Sequence, residues 1–212
     1  MSKYDIATLA ATDTQPGIDG LKSLFAFWKE LLRSPRNVGA VLPSAKSLGI
    51  AVTDEVLRRP PGLVIELGAG TGVITQALVD IHDRLTGLIV IEKSEQLVEI
   101  LTRRYPVLNI QAGCASILGD MRFLASEPVT VVSSLPLRSL AESDLSAIKE
   151  AIAVLGARHA EFRFIQYSYF GRLPFSSHVP WLMWERKKTV FANIPPATIW
   201  VLEKVTPRSE RT

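Results

Sequence analysis

Residues 64–72 read VIELGAGTG: an apolar run interrupted by Glu66, then Gly68, Gly70 and Gly72. Glycines this close together after a strand let the backbone adopt positive φ and approach a ligand closely. The spacing is G-x-G-x-G. A dinucleotide fingerprint requires G-x-G-x-x-G or Ala, and its last position here is Val73. A P-loop requires Gly-Lys-Ser/Thr, which is absent. Glu92 ends the next apolar run, about twenty residues on, where a carboxylate accepts from both ribose hydroxyls of a nucleoside. The chemistry implied is binding of a nucleoside with no strong requirement for a pyrophosphate cradle.

Other reactive side chains are sparse. Cys114 is the only cysteine, so an intrachain disulfide is impossible and a zinc cluster lacks its usual ligands. It reads as a small buried side chain rather than a nucleophile, and no metal is expected. The net charge of +3 is compatible with an anionic partner without demanding one. The cations gather over 21–36, where Lys22, Lys29, Arg33 and Arg36 face Glu30 alone. No apolar run reaches the ~18 residues of a membrane span, and the first twenty residues lack the pattern of a signal peptide.

The elements that must position these residues follow from periodicity. Residues 1–20 read as loosely ordered and 21–61 as two helices, the second capped by Ser44 with Leu48, Val52, Val56 and Leu57 on its apolar face. From 62 to 212 short apolar strands alternate with helices. Strands are expected at 63–67, 88–92, 107–111, 129–134 and 161–169, with a closing pair at 183–191 and 198–205 joined by ANIPPA. Helices are expected over 73–79, after Ser94, and from Ser143 to a stop at Gly156. This is an α/β fold with a mostly parallel sheet, and such sheets bind ligands beyond the carboxyl ends of their strands.

VIELGAGTG followed by IVIEKS resembles the class I S-adenosylmethionine-dependent methyltransferases, from about Leu63 onward. The resemblance implies a Rossmann-like, mostly parallel seven-stranded sheet with helices on both faces and an antiparallel C-terminal hairpin. It implies S-adenosylmethionine as cofactor. Gly68, Ala69, Gly70, Thr71 and Gly72 would line its methionine and ribose, Glu66 would hold the amino-acid part, and Glu92 with Lys93 the ribose end. AGCAS replaces the family's GDA, with Cys114 at the Asp position and Ala115 after it. One hydrogen bond to adenine is thereby lost unless Ser116 or a backbone carbonyl supplies it. Ser133 and Leu135, ending the fourth strand, complete the cofactor side.

That strand runs into SSLPLRSL, where relatives that methylate nucleic-acid bases carry Asn/Asp-Pro-Pro-Tyr or Asn-Leu-Pro-Tyr. Here serines stand for the Asn and Leu137 for the aromatic, so a flat base would lose its stacking platform. NIPP at 193–196 sits in the final hairpin, away from the fourth strand, and reads as a structural turn. Taken together, SPRNVGAVLPS, VIELGAGTG, SSLPLRSL, FIQYSYFGRLP and NIPPATIW resemble the bacterial phospholipid N-methyltransferases of the soluble, membrane-associating type. These convert phosphatidylethanolamine stepwise towards phosphatidylcholine. The resemblance implies substrate contacts from Arg36, Ser134, Pro136 and Tyr167. The stretch 166–180 departs from the simpler turn expected, putting Phe170 and Arg172 on the head group's path.

The reaction so implied is displacement of a methyl group from a sulfonium by a neutral amine. With a pKa near ~10, about one amine in 10³ is neutral at pH 7, a cost of about 4 kcal/mol unless a group takes the proton. Tyr167, Tyr169, His178 and the carbonyls of 133–135 are the candidates, and the tyrosines could also cradle a methylated cation.

Leu21, Leu24, Phe25, Trp28, Leu31 and Leu32 fall on one helical face, flanked by Lys22, Lys29 and Arg33. An apolar stripe with Trp and flanking cations suits an interfacial helix; the competing fate is packing on the domain's own core. The expectation is a monomer in the cytoplasm, held peripherally on the inner face of the cell membrane by anionic lipids, with no nucleic-acid partner. The rivals are an rRNA adenine N6-dimethyltransferase, a small-molecule amine or oxygen methyltransferase, and a lipid-surface protein with a vestigial cofactor site.

Overall fold

The computed structural model describes residues 43–193 and 195–205. The expectations on residues 1–42, including Lys22, Phe25, Trp28, Lys29, Arg33 and Arg36, lie outside the described residues. The elements run α1 (Pro43–Val56), β1 (Leu63–Leu67), α2 (Val73–Val79), β2 (Gly87–Glu92), α3 (Glu95–Arg104), β3 (Asn109–Ala112), β4 (Val129–Ser133), α4 (Glu142–Arg158), β5 (Phe162–Tyr169), β6 (Leu182–Val190) and β7 (Ala197–Lys204). Short 3₁₀ turns at Ala115–Gly119 and Leu137–Ser139 follow β3 and β4.

The seven strands form one sheet in the order β3-β2-β1-β4-β5-β7-β6. β1 to β5 are parallel, and β7 is antiparallel to both β5 and β6. Because side chains alternate across a strand, the buried residues divide into two cores. Leu48 and Val52 of α1, Leu78 of α2 and Leu101 of α3 pack with Val64, Val90, Val132 and Ile165 on one face. Ile148, Ile152 and Leu155 of α4 pack with Ile65, Ile91, Val131 and Phe164 on the other. Helices therefore cover both faces, as the alternation of strands and helices requires.

Three helix limits differ from expectation, each for a local reason. Pro43 and Ser44 are already helical, so Ser44 is not the cap of α1; a proline's missing N–H is tolerated in a first turn. α4 begins at Glu142 rather than after Ser143, with Glu142 and Asp144 placing negative charge at its positive end. It also runs through Gly156 to Arg158. A Cβ at Gly156 would lie 3.0 Å from Phe162 and 3.3 Å from Trp181, so this glycine admits two rings against the helix instead of ending it. Ser94 does cap α3, its hydroxyl accepting from Leu97 N–H at 3.5 Å.

Candidate cofactor and substrate site

The carboxyl ends of β1, β2 and β4 meet at the glycine loop. Gly68, Gly70 and Gly72 have φ of 70°, 57° and 83°. A Cβ on Gly68 would come within 2.6 Å of Leu135 Cδ2, and one on Gly72 within 2.8 Å of Leu101 Cδ2. These two glycines let the loop pack against the β4 loop and α3. Gly70 is different: its missing side chain faces open space, with the nearest atom the Gly68 carbonyl at 4.0 Å. Backbone is thus exposed for close approach by a ligand.

Two carboxylates flank that opening. Glu92 accepts from Gly70 N–H and from Ser94 N–H, both at 2.9 Å. The side chain is therefore engaged in fixing the loop, while each oxygen keeps capacity for a further hydrogen bond. Glu66 is fully buried, and its oxygens make no hydrogen bond of full geometry among the described residues; Thr75, whose hydroxyl is likewise buried without one, is the donor standing beside it. Burial pushes the Glu66 carboxyl up to about 8, with Thr75 holding the shift back and the charge on Glu92 adding to it. A buried acid with Thr75 as its neighbouring donor still has lone pairs left for a cationic or donor group from outside the protein.

Strand alternation puts Glu66 on the same sheet face as Val64 and Val132, and Tyr167 and Tyr169 on that face with Ile165. Ser133 is level with Gln166, so Ser134 and Tyr167 continue side by side beyond the ladder. Burial raises the Tyr167 phenol; Ser134 moderates the shift and Glu66 adds to it, which places all three groups in one neighbourhood. The Tyr167 and Tyr169 rings meet edge to face at 6.0 Å and 76°. Burial raises Tyr169 strongly as well. Both phenols thus stay protonated at neutral pH and serve as donors rather than bases.

Gln166 was not apparent as a functional residue in the sequence. Its Nε2 donates to the Leu135 carbonyl at 3.1 Å and to the Tyr167 carbonyl at 2.8 Å. Ser133 Oγ accepts from Leu135 N–H at 3.3 Å, and Ser134 N–H donates to the Leu67 carbonyl at 2.9 Å. The β4 loop is pinned from both sides, and the Leu135 carbonyl, a candidate proton acceptor, is oriented by Gln166. The only hint in the sequence was a polar residue at an inward position of an apolar strand.

Several expected residues stand elsewhere. His178 Nε2 lies 3.4 Å from Glu150 Oε2, so it faces α4 on the flank of the sheet rather than the tyrosines. Cys114 is exposed, not a buried filler, because the inward position beside it is taken by buried Ala115. Its thiol pKa is lowered by hydrogen bonding from Ser116, with a smaller contribution from exposed Lys93. Pro136 is exposed beside the site, whereas Leu137 turns into the core at 3% exposure. The NIPP turn lies nearer the site than its sequence position suggests. Ala197 of β7 pairs with Tyr169, so the β6–β7 connection sits at the carboxyl end of β5. Asn193 closes the turn by donating to the Pro195 carbonyl at 2.7 Å, and its amide stands beside the Tyr169 phenol.

The sheet order, the antiparallel closing hairpin and the glycine loop define the Rossmann-like fold of class I methyltransferases. Among solved structures, the chain is similar to 1,6-didemethyltoxoflavin-N1-methyltransferase from Burkholderia thailandensis, which was crystallised with 1,6-didemethyltoxoflavin and S-adenosylhomocysteine. The TM-score is 0.57 at 13% identity, over 96% of this chain and 99% of that one. It is also similar to an S-adenosylmethionine-dependent methyltransferase from Anabaena variabilis, with TM-score 0.52 and 14% identity, over 92% and 99% of the two chains. In sequence, 80 residues are 40% identical to ribosomal RNA small subunit methyltransferase A of Salinibacter ruber. That match covers 36% of this chain and spans only 26% of the relative's length. No known family profile matches the chain.

Proposed function

We infer that the protein is an S-adenosylmethionine-dependent N-methyltransferase whose acceptor is the ethanolamine head group of phosphatidylethanolamine and its partly methylated forms, worked on at the inner face of the cell membrane. The observation that supports the cofactor is Glu66, a fully buried carboxyl with lone pairs to spare in the neighbourhood of Tyr167, and the one that supports an amine acceptor is the Tyr167–Tyr169 pair beside it. The residues fit the cofactor. Glu66 would accept from its ammonium group, Gly68 to Gly72 would lie along its length, and Glu92 would take the ribose hydroxyls with its remaining lone pairs. The cofactor supplies an electrophilic methyl group. The chain's own part is to hold the amine in line, exclude water and accept hydrogen bonds from the amine, the last through the Leu135 carbonyl that Gln166 orients. Tyr167 and Tyr169 offer π-faces to an amine that gains methyl groups and positive charge.

A second reading, methyl transfer to an RNA base, is favoured by the 80-residue match to the ribosomal RNA enzyme. Against it stands Leu137, buried in the core where a base would need an aromatic platform. The test is transfer of labelled methyl groups from S-adenosylmethionine to phosphatidylethanolamine vesicles and, in parallel, to ribosomal RNA. Label in mono- and dimethylated lipid is expected; label confined to RNA overturns the lipid reading in favour of the second.

A further inference from the structure

Three loops at the carboxyl edge of the sheet, following β4, β5 and β6, carry side chains that the site does not use. The β5 loop opens with Phe170, 66% exposed, and the β6 loop with Phe191, 78% exposed. Leu173 adds a third apolar side chain at 37%. Tyr169 and Val190 both pair with Ala197, so Phe170 and Phe191 leave the sheet at the same level, two strand spacings apart. That is about 10 Å.

Phe170 is also in the wrong conformation for its type. It has φ 59°, followed by Gly171 at 63°, and the Arg172 amide closes the turn on the Tyr169 carbonyl at 3.5 Å. A tight turn with positive φ at both central positions calls for Asn-Gly or Gly-Gly, and an aromatic at the first is strained. Strain kept at an exposed ring with little protein packed around it points to something outside the protein.

Cations gather around these rings. Arg138, whose Nη1 donates to the Leu173 carbonyl at 3.0 Å, Arg172 and Arg186 are all exposed. Residues 162–184 and 186–202 contain no Asp or Glu. Glu185 is bonded to Lys187. Of the two acids that open α4, Asp144 lies near enough to Cys114 to raise its thiol slightly.

We propose that this edge is a membrane-contact surface: Phe170 and Phe191, with Leu173, enter an anionic bilayer while Arg138, Arg172 and Arg186 meet its head groups, so that the mouth of the site opens onto lipid. Two aromatic rings, an aliphatic side chain and flanking cations suit an interface, where apolar burial and charge attraction add. The aliphatic Leu173 beside the rings fits hydrocarbon better than stacked bases. The inference deepens the lipid-substrate reading and rests on it for the direction the site faces.

The experiment compares the full chain with the double variant Phe170→Asn/Phe191→Ser in flotation with vesicles of phosphatidylglycerol and phosphatidylethanolamine. Asn suits the turn, so folding is retained, and S-adenosylhomocysteine binding by calorimetry verifies the site. The variant should lose partition by about tenfold for each ring withdrawn from the bilayer. It should keep its affinity for S-adenosylhomocysteine. Equal flotation of the two proteins, or no flotation of the wild type, overturns the proposal. So does a single-stranded RNA oligonucleotide whose binding, rather than vesicle binding, is lost in the variant. Flotation that depends on the rings without methylation of any lipid upholds this surface and overturns the lipid-substrate reading instead.

Discussion

At the residue scale the protein turns on Glu66. In the unfolded chain its carboxyl titrates at the ordinary value of 4.5, and burial raises it to about 8 in the fold. The folded state therefore holds a proton that the unfolded state has released between those values. Stability contributed by this group is full below 4.5 and declines as pH rises through about 8. Glu66→Gln should abolish that slope and raise the melting temperature of the cofactor-free protein above pH 8, as a pH series of thermal melts would show. Binding of an ammonium group has the opposite dependence on the acid side, because the carboxyl must first ionise. Affinity for S-adenosylhomocysteine should rise about tenfold per pH unit from 6 to 7. In Glu66→Gln the affinity should be low and flat over that range. An unchanged pH profile by calorimetry would remove the carboxylate from the site.

At the scale of elements, α1 is tied to the far end of the sheet by buried charge. Arg163, at the start of β5, donates Nη1 to the Glu55 carbonyl at 2.9 Å and Nη2 to its carboxylate. Glu203 of β7 lies 3.8 Å from Arg163 Nε and is shared with Arg59 at 3.2 Å. Removing one partner of a buried pair strands the other, so Glu55→Ala should cost about 3 kcal/mol in urea unfolding. The double change Glu55→Leu/Arg163→Met should recover most of that loss, since an apolar pair of similar volume needs no desolvation of charge. Neither partner was legible in advance, because ion pairing over a separation of 108 residues leaves no periodic mark. The strands were legible, as their burial on both faces writes short, mainly apolar runs at 63–67 and 88–92, broken only by Glu66 and ended by Glu92. The error at Gly156 shows the limit. A glycine near a helix end reads as a stop, and only the packed rings of Phe162 and Trp181 reveal that it serves close contact instead.

At the scale of the whole molecule, topology decides which residues share the site. The glycine loop, Glu66 and Glu92 could be read from the sequence because a strand, a turn and a helix place them within one βαβ unit. Tyr167 and Tyr169 could be added because they end a strand, but Gln166 and Asn193 could not, since β5 and β7 become neighbours only through an antiparallel return. His178 was misplaced for the same reason: it lies only nine residues beyond Tyr169 in sequence, yet the chain between carries it onto α4. The site is thus assembled from two halves of the sheet, β1–β2 for the buried carboxylates and β4–β5–β7 for the loop and the tyrosines. A ligand spanning them should stabilise the whole fold and not only a loop. At a concentration one hundred times its dissociation constant, S-adenosylhomocysteine should add about 2.7 kcal/mol to the unfolding free energy. For a chain of this size that corresponds to a rise of roughly 5–10 °C in melting temperature. The rise should be lost in Glu66→Gln and kept in Phe170→Asn/Phe191→Ser, since the first changes the buried floor of the site and the second only its outer edge. A melt unmoved by the ligand in the wild type would mean that the glycine loop and its carboxylates hold some other molecule.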